Sequence, residues 1–197
     1  MFSEALATGR CALHSVCLHF PHRHNYEEEE RQMDQWHDFF LAQAGAAGVL
    51  TGLVFVGVSI NLEKIVSESG SGLPGRAAEA LILLVAVLTA SILLLVPGQG
   101  PVMVGAEVLT VGLAAWGWIV AIQLPLLRSW QTMRPDLRGP FVLRVAMGQI
   151  ATIPAIVAGI AVLAGGLGGL YWLVAGMVFS ILAALFEAWV LLIEINR

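Results

Sequence analysis

The feature that most constrains the fold is an uncharged run from Phe39 to Leu62, which lies between Asp38 and Glu63. As a helix this run is roughly 36 Å long, because each residue adds about 1.5 Å. The hydrocarbon core of a bilayer is about 30 Å thick, so the run is long enough to cross it with some tilt. The run therefore predicts a transmembrane helix.

The composition indicates that the rest of the chain is also embedded in lipid. Charged residues make up 12% of the 197 residues, and 58% are hydrophobic. A soluble domain has about 25% charged residues, so half that share together with long apolar runs excludes an ordinary globular core. The apolar run follows an acidic segment and has no small-residue cleavage pattern after it, which argues against a cleaved signal peptide.

Five apolar runs predict an all-α transmembrane bundle. The spans are expected at about 39–62, 74–96, 102–127, 141–163 and 170–195, within a single domain from 39 to 197. Pro74 suits the first turn of the second span. The short turn from Pro97 to Pro101 makes spans two and three an antiparallel hairpin.

Residues 1–38 differ from the rest and are predicted to form a polar, disordered tail, with an acidic run from Glu27 to Glu30. Two interpretations stay open: the tail belongs to the natural protein, or Met33 is the natural start and 1–32 is an upstream extension. The tail contains residue types that bind zinc: Cys11, His14, Cys17, His19, His22 and His24. Their spacing matches no zinc finger, and we predict neither a metal site nor a cofactor.

The Lys and Arg residues predict the orientation. The 97–101 and 164–169 turns contain none of them. The opposite side collects Lys64, Arg76, Arg128, Arg134, Arg138 and Arg197. Cytoplasmic loops are enriched in Lys and Arg, so we expect the N-terminus outside and the C-terminus in the cytoplasm.

Three spans have stripes of small residues at helical spacing, which permit close approach of helices in lipid. The stripes are Ala44, Gly48 and Gly52 in span one, Gly148, Ala151, Ala155 and Gly159 in span four, and Gly176, Ser180 and Ala184 in span five. They predict packing within one bundle or, for span one above all, an interface between copies of the chain.

Buried ionisable residues are the candidate functional groups, because charges inside a bilayer are costly and rarely face lipid. Arg144 lies on the small-residue stripe of span four, and Glu187 lies on that of span five. With Glu79 they are expected to form one cluster, in which Arg144 pairs with Glu187, Glu79 or both. One carboxylate would then lack a cation. The cluster would be a static ion pair, a proton-coupled site, or a group that extends to the interface.

Glu107 is a separate acid in the outer half of the membrane. Its predicted partners are Gln43 and Gln99. The alternatives are a carboxyl group hydrogen-bonded within the bundle or facing an outer vestibule, and a contact with a substrate or ion.

Residues 33–197 also resemble a protein family. The resemblance rests on HDFF at 37–40, GLVFVGVSINL at 52–62, LPGRAAEAL at 73–81, LLLVPGQ at 93–99 and WVLLIEINR at 189–197. The family comprises small bacterial, actinobacterial-type, multi-span integral membrane proteins. It is labelled uncharacterised, and sometimes as modulators of a membrane protease. The resemblance implies the bacterial cytoplasmic (inner) membrane and supplies no functional residues.

The sequence contains no P-loop, HExxH or GxSxG motif, and we expect no enzyme. The first hypothesis is an accessory or regulatory membrane protein. The alternative is a homo-oligomeric channel or proton-coupled transporter that uses Glu79, Arg144 and Glu187. An enzyme acting on lipid ranks last. The expected partners are the lipid bilayer and either a second copy or another membrane protein, and not nucleic acid.

Overall fold

A computed structural model describes residues 21–67, 72–129 and 135–195, with side chains described for 36–65, 72–129 and 138–194. This part of the chain is helical apart from short turns, and it contains no strand. The helices are α1 (Pro21–Ile60), α2 (Leu62–Ser67), α3 (Leu73–Leu94), α4 (Pro101–Arg128), α5 (Pro135–Gly165) and α6 (Leu170–Ile195), with a 3₁₀ turn at Leu167–Gly169.

Five helical segments are long and apolar enough to cross a membrane, which confirms the predicted all-α transmembrane bundle. They are Trp36–Ile60, Leu73–Leu94, Pro101–Arg128, Arg138–Gly165 and Leu167–Glu194. Every bound lies within three residues of its predicted position. Pro74 and Pro101 lie in the first turns of α3 and α4, where a missing backbone N–H costs nothing.

The N-terminal region departs from the prediction. α1 begins at Pro21, so residues 21–38 are helical where a disordered tail was expected. Proline favours the first turn of a helix, and the Glu, Gln and Arg residues that follow are good helix formers. Residues 1–20, with Cys11 to His19, lie outside the described part, as do the side chains of His22 and His24.

Four of the helices form a ring. α3, α4, α5 and α6 each pack against the preceding and following helix of the ring, and α6 closes it against α3. α1 packs along the outer side of α3. We call the end with the turns at 95–100 and 166–169 the hairpin end, and the opposite end, with Arg76, Arg128 and Arg138, the basic end.

Glycines bring α4 and α5 into close contact. A Cβ atom on Gly159 would lie 2.7 Å from the Leu109 backbone nitrogen, and one on Gly105 would lie 2.7 Å from Cγ of Leu163. A Cβ atom on Gly112 would lie 3.2 Å from the backbone nitrogen of Ile156. Since lipid offers no hydrophobic drive for association, this close approach stabilises the packing of the two helices, as does the hydrogen bond from Trp116 to Gln149.

The predicted stripes of spans four and five lie inside the ring. A Cβ atom on Gly176 would lie 3.2 Å from the Ala155 nitrogen, and the Ser180 hydroxyl donates to the Ala151 carbonyl at 3.1 Å. Ala184 is fully buried. Gly148 faces the Gln123 side chain of α4. These residues therefore join α5 to α6 and to α4.

The stripe of span one is divided. Ala44 is half-buried, and a Cβ atom on Gly48 would meet Leu88 of α3 at an ordinary 3.8 Å. Gly52 is exposed and would meet nothing within 4 Å, and the same holds for Gly45. Only part of the stripe therefore packs within the chain.

Candidate functional site

Each helix of the ring contributes to one group of polar side chains in the half of the bundle nearer the basic end. We call this group the polar network. It consists of Arg76 and Glu79 from α3, Gln123 from α4, Arg144 from α5 and Glu187 from α6.

Arg144 and Glu79 form the central ion pair of the polar network. The Arg144 Nε donates to Oε2 of Glu79 at 2.8 Å, and Nη2 donates to Oε1 at 3.0 Å. Both side chains are 4% exposed. Two parallel hydrogen bonds from a planar guanidinium fix the geometry of both groups, so the pair joins α5 to α3 in a defined register.

Arg76 supplies a second ion pair. Its Nη1 donates to Oε2 of Glu187 at 2.7 Å, with side chains 19% and 5% exposed. From the sequence, Arg76 was counted with the basic residues at the membrane surface, and one carboxylate was expected to lack a cation. That expectation is wrong, because Arg76 lies in the first turn of α3 and its long side chain reaches Glu187 in the bundle interior. Two arginines balance two acids.

Glycines make room for the buried guanidinium. A Cβ atom on Gly75 would lie 2.9 Å from Nη2 of Arg144. Gly72 precedes α3 with a φ of 79°, which favours glycine, and its Cβ position lies 3.8 Å from Nη1. Gly72 and Gly75 therefore shape the space around Arg144.

Gln123 is the neutral member of the polar network. It is 4% exposed and lies beside Glu79. Its Nε2 would lie 2.9 Å from a Cβ on Gly148, and has no hydrogen-bond partner among the described residues. Sequence reasoning missed both Gln123 and Arg76. The available signals were the three-residue spacing of Arg76 and Glu79, which places them on one helix face, and an amide in an otherwise apolar span.

Glu107 lies apart, near the hairpin end. Of its two predicted partners, Gln99 makes the contact: Gln99 Nε2 donates to both carboxylate oxygens at 2.9 Å. Gln43 on α1 does not bond to it, and the Gln43 Oε1 is buried without a hydrogen-bond partner in the described part of the chain. Glu107 is half-buried.

The interior between Glu107 and the polar network is apolar. It is filled by side chains such as Leu84, Val87, Val108 and Ala115. A central cavity of about 30 Å³ lies among the four ring helices, enough for roughly one water. Its two hydroxyl groups, on Thr152 and Ser180, are bonded to backbone carbonyls. The ring interior thus separates the two polar regions.

The described residues contain no group of three or more His, Cys, Asp or Glu side chains that could hold a metal ion. In the polar network every carboxylate faces a guanidinium. The arrangement is suited to fixing helix positions.

Comparison with models of known protein families finds no match, and searches of curated proteins and of solved structures find no similar protein. The fold and the side-chain geometry are therefore the basis for function. Five apolar helices make the chain a multi-pass integral membrane protein.

Proposed function

We propose that the protein is a non-enzymatic accessory or regulatory protein of the bacterial cytoplasmic membrane, which acts by binding another membrane protein or a second copy along α1. The Lys and Arg residues of the basic end support an orientation with this end in the cytoplasm and the N-terminus outside. The bacterial location is proposed from the resemblance noted in the sequence of residues 33–197.

The observation that carries the proposal is the partial packing of α1. Of the 18 residues in its most apolar window, 11% are buried. The corresponding share is 28–50% for the other four spans. The face away from α3 presents Gly45, Val49 and Gly52, and Val49 is 65% exposed. Glycine lowers helix stability by about 1 kcal/mol relative to alanine, so glycines that pack against nothing are a cost to the isolated chain. Contact with another helix would offset that cost.

The polar network supports a structural role for the buried charges. Removing a pair of charges from water is costly, and the cost is offset only when the geometry and hydrogen bonds are good. Arg144 and Glu79 meet this condition with two short bonds. The network thus fixes the ring as a rigid support for α1.

The alternative, a homo-oligomeric channel or proton-coupled transporter, has less support. Its polar path would need Glu79, Arg144 and Glu187, which are 3–4% exposed and face the interior of one ring. The apolar interior lies between them and Glu107.

Site-specific photo-crosslinking in native membranes tests the proposal. A photoreactive residue at Val49 should give covalent adducts of defined mass with a protein. The matched control is Ile160 on α5, which is 54% exposed on a ring helix. We expect protein adducts at Val49 and only lipid adducts at Ile160.

The adduct at Val49 identifies the partner, either a second copy or another membrane protein. Lipid adducts alone at Val49, or the same protein adducts at both positions, would contradict the role of α1.

A further inference from the structure

A groove between α3 and α4 opens toward the bilayer. It has a volume of about 490 Å³ and is lined by apolar side chains such as Val85, Val111 and Trp118. Small side chains at Ala86 and Ala114 leave this space between the two helices. Its polar side-chain groups are the Thr89 hydroxyl, near the hairpin end, and the indole N–H of Trp118.

Glu107 lies one helical turn beyond Val111, on the hairpin-end side of this groove. It precedes Val111 by four residues, so the two side chains lie one above the other on the same face of α4. Glu107 is about 9 Å along the helix axis from Pro101, where α4 begins, and is therefore close to the membrane interface. Its carboxylate is half-buried and is contacted by the neutral Gln99.

The charges around Glu107 favour a ligand that carries an ammonium group. Every Lys and Arg side chain that the structure describes lies in the half of the bundle nearer the basic end: Lys64, Arg76, Arg128, Arg138 and Arg144. None of them therefore competes for this carboxylate. A carboxylate one turn beyond an apolar groove fits the ammonium group of an amphiphile whose hydrocarbon tail lies in the groove.

The lining of the groove favours a hydrocarbon chain. It follows residues 81–89 of α3 for about 12 Å and is apolar over nearly all of this length, so it offers few polar contacts to a polar ligand.

We propose that this groove binds a phospholipid with a primary ammonium headgroup, such as ethanolamine. An acyl chain lies between α3 and α4, and the ammonium donates a hydrogen bond to the Glu107 carboxylate. A choline headgroup carries the same charge but has no N–H to donate, so it binds more weakly. The inference does not depend on the proposed role of α1.

Native mass spectrometry of the purified full chain tests the inference. The protein is titrated with ethanolamine and choline phospholipids that have identical acyl chains. We expect the ethanolamine lipid to bind about five- to tenfold more tightly, because a charge-assisted hydrogen bond is present for one headgroup only. Equal affinities would overturn the proposal.

Three variants locate the site. Glu107→Gln should abolish the headgroup preference, whereas Glu194→Gln, the same change at an exposed acid at the basic end, should retain it. Ala114→Phe fills the groove and should weaken binding of both lipids. A preference that survives Glu107→Gln, or unchanged binding in Ala114→Phe, would contradict the proposed site.

Discussion

Glycines inside the ring of α3 to α6 and glycines on the outer face of the peripheral helix α1 have opposite surroundings. In the ring, Gly105, Gly159 and Gly176 place backbone against a neighbouring helix, so that a Cβ atom would lie 2.7–3.2 Å from the nearest atom. In α1, Gly45 and Gly52 face open space. The same residue type at similar spacing therefore either closes a bundle or leaves a face uncovered. The difference indicates that the ring is complete within one chain and that α1 is not.

The polar groups show the same contrast. The ring contains the two ion pairs of the polar network, and the Ser180 hydroxyl bonds across from α6 to α5. In α1, the hydroxyls of Thr51 and Ser59 bond to carbonyls of their own helix, and the amide of Asn61, which follows α1, donates to the Gly57 carbonyl. Substitutions of polar side chains that bond between helices of the ring should therefore lower the stability of the protein. Substitutions of the polar side chains in α1 should change its stability little.

The largest effect should come from Arg144→Met. This change leaves Glu79 buried without its cation and should lower the free energy of unfolding by about 3–5 kcal/mol. Thermal unfolding in detergent measures it, with Arg128→Met, at an exposed arginine at the end of α4, as the control. The double variant Arg144→Met/Glu79→Leu should recover much of the loss, because neither charge remains. If Arg144→Met melted like the wild type, the polar network would not stabilise the ring.

A smaller loss should follow from Gly159→Ala. The added Cβ would lie 2.7 Å from the backbone of Leu109, so α4 and α5 must separate, at a cost of about 1–3 kcal/mol. Gly52→Ala introduces the same group where nothing lies within 4 Å, and should leave stability unchanged or raise it by up to about 1 kcal/mol. Chemical denaturation of both variants in the same detergent gives the comparison. Equal losses at both positions would remove the distinction between ring and α1.

The smallest loss of stability is expected from removing a hydroxyl that bonds between two helices, compared with one that bonds within its own helix. Ser180→Ala removes a bond between two helices and should cost about 0.6 kcal/mol, the usual size of such bonds in membrane proteins. Ser59→Ala removes a bond within α1 that lies at the exposed surface, and should leave the unfolding midpoint unchanged. A larger loss at Ser59 than at Ser180 would show that α1 is the more tightly constrained element.

The sequence was sufficient for the five spans and for the inward direction of several charges. Uncharged runs long enough to cross a bilayer have few alternatives, because backbone polar groups must bond internally in lipid. Spacing from the small-residue stripes pointed Arg144 and Glu187 inward, and both are 4% exposed.

The network itself could not be predicted in full. A long side chain in the first turn of a helix can extend either to water or into the bundle. The position of the residue on the helix does not show which direction the side chain takes. Arg76 was therefore counted with the basic residues at the membrane surface and not with the buried cluster. Similarly, the stripes did not show which helix meets which. Gly105 and Gly112 of α4 were missed, and Gly52 packs against nothing in the chain.

The most direct test of the central claim is the mass of the complex extracted from native membranes in a mild detergent. Three proteins are compared: the wild type, Gly45→Leu/Gly52→Leu, and Gly117→Leu, where a glycine of α4 faces equally open space. We predict that the wild type and Gly117→Leu run as the same complex with a partner or a second copy, whereas the α1 double variant is folded but runs alone. A double variant that keeps the full complex, or a wild type that is extracted as a single chain, would contradict the assignment of α1 as the contact helix.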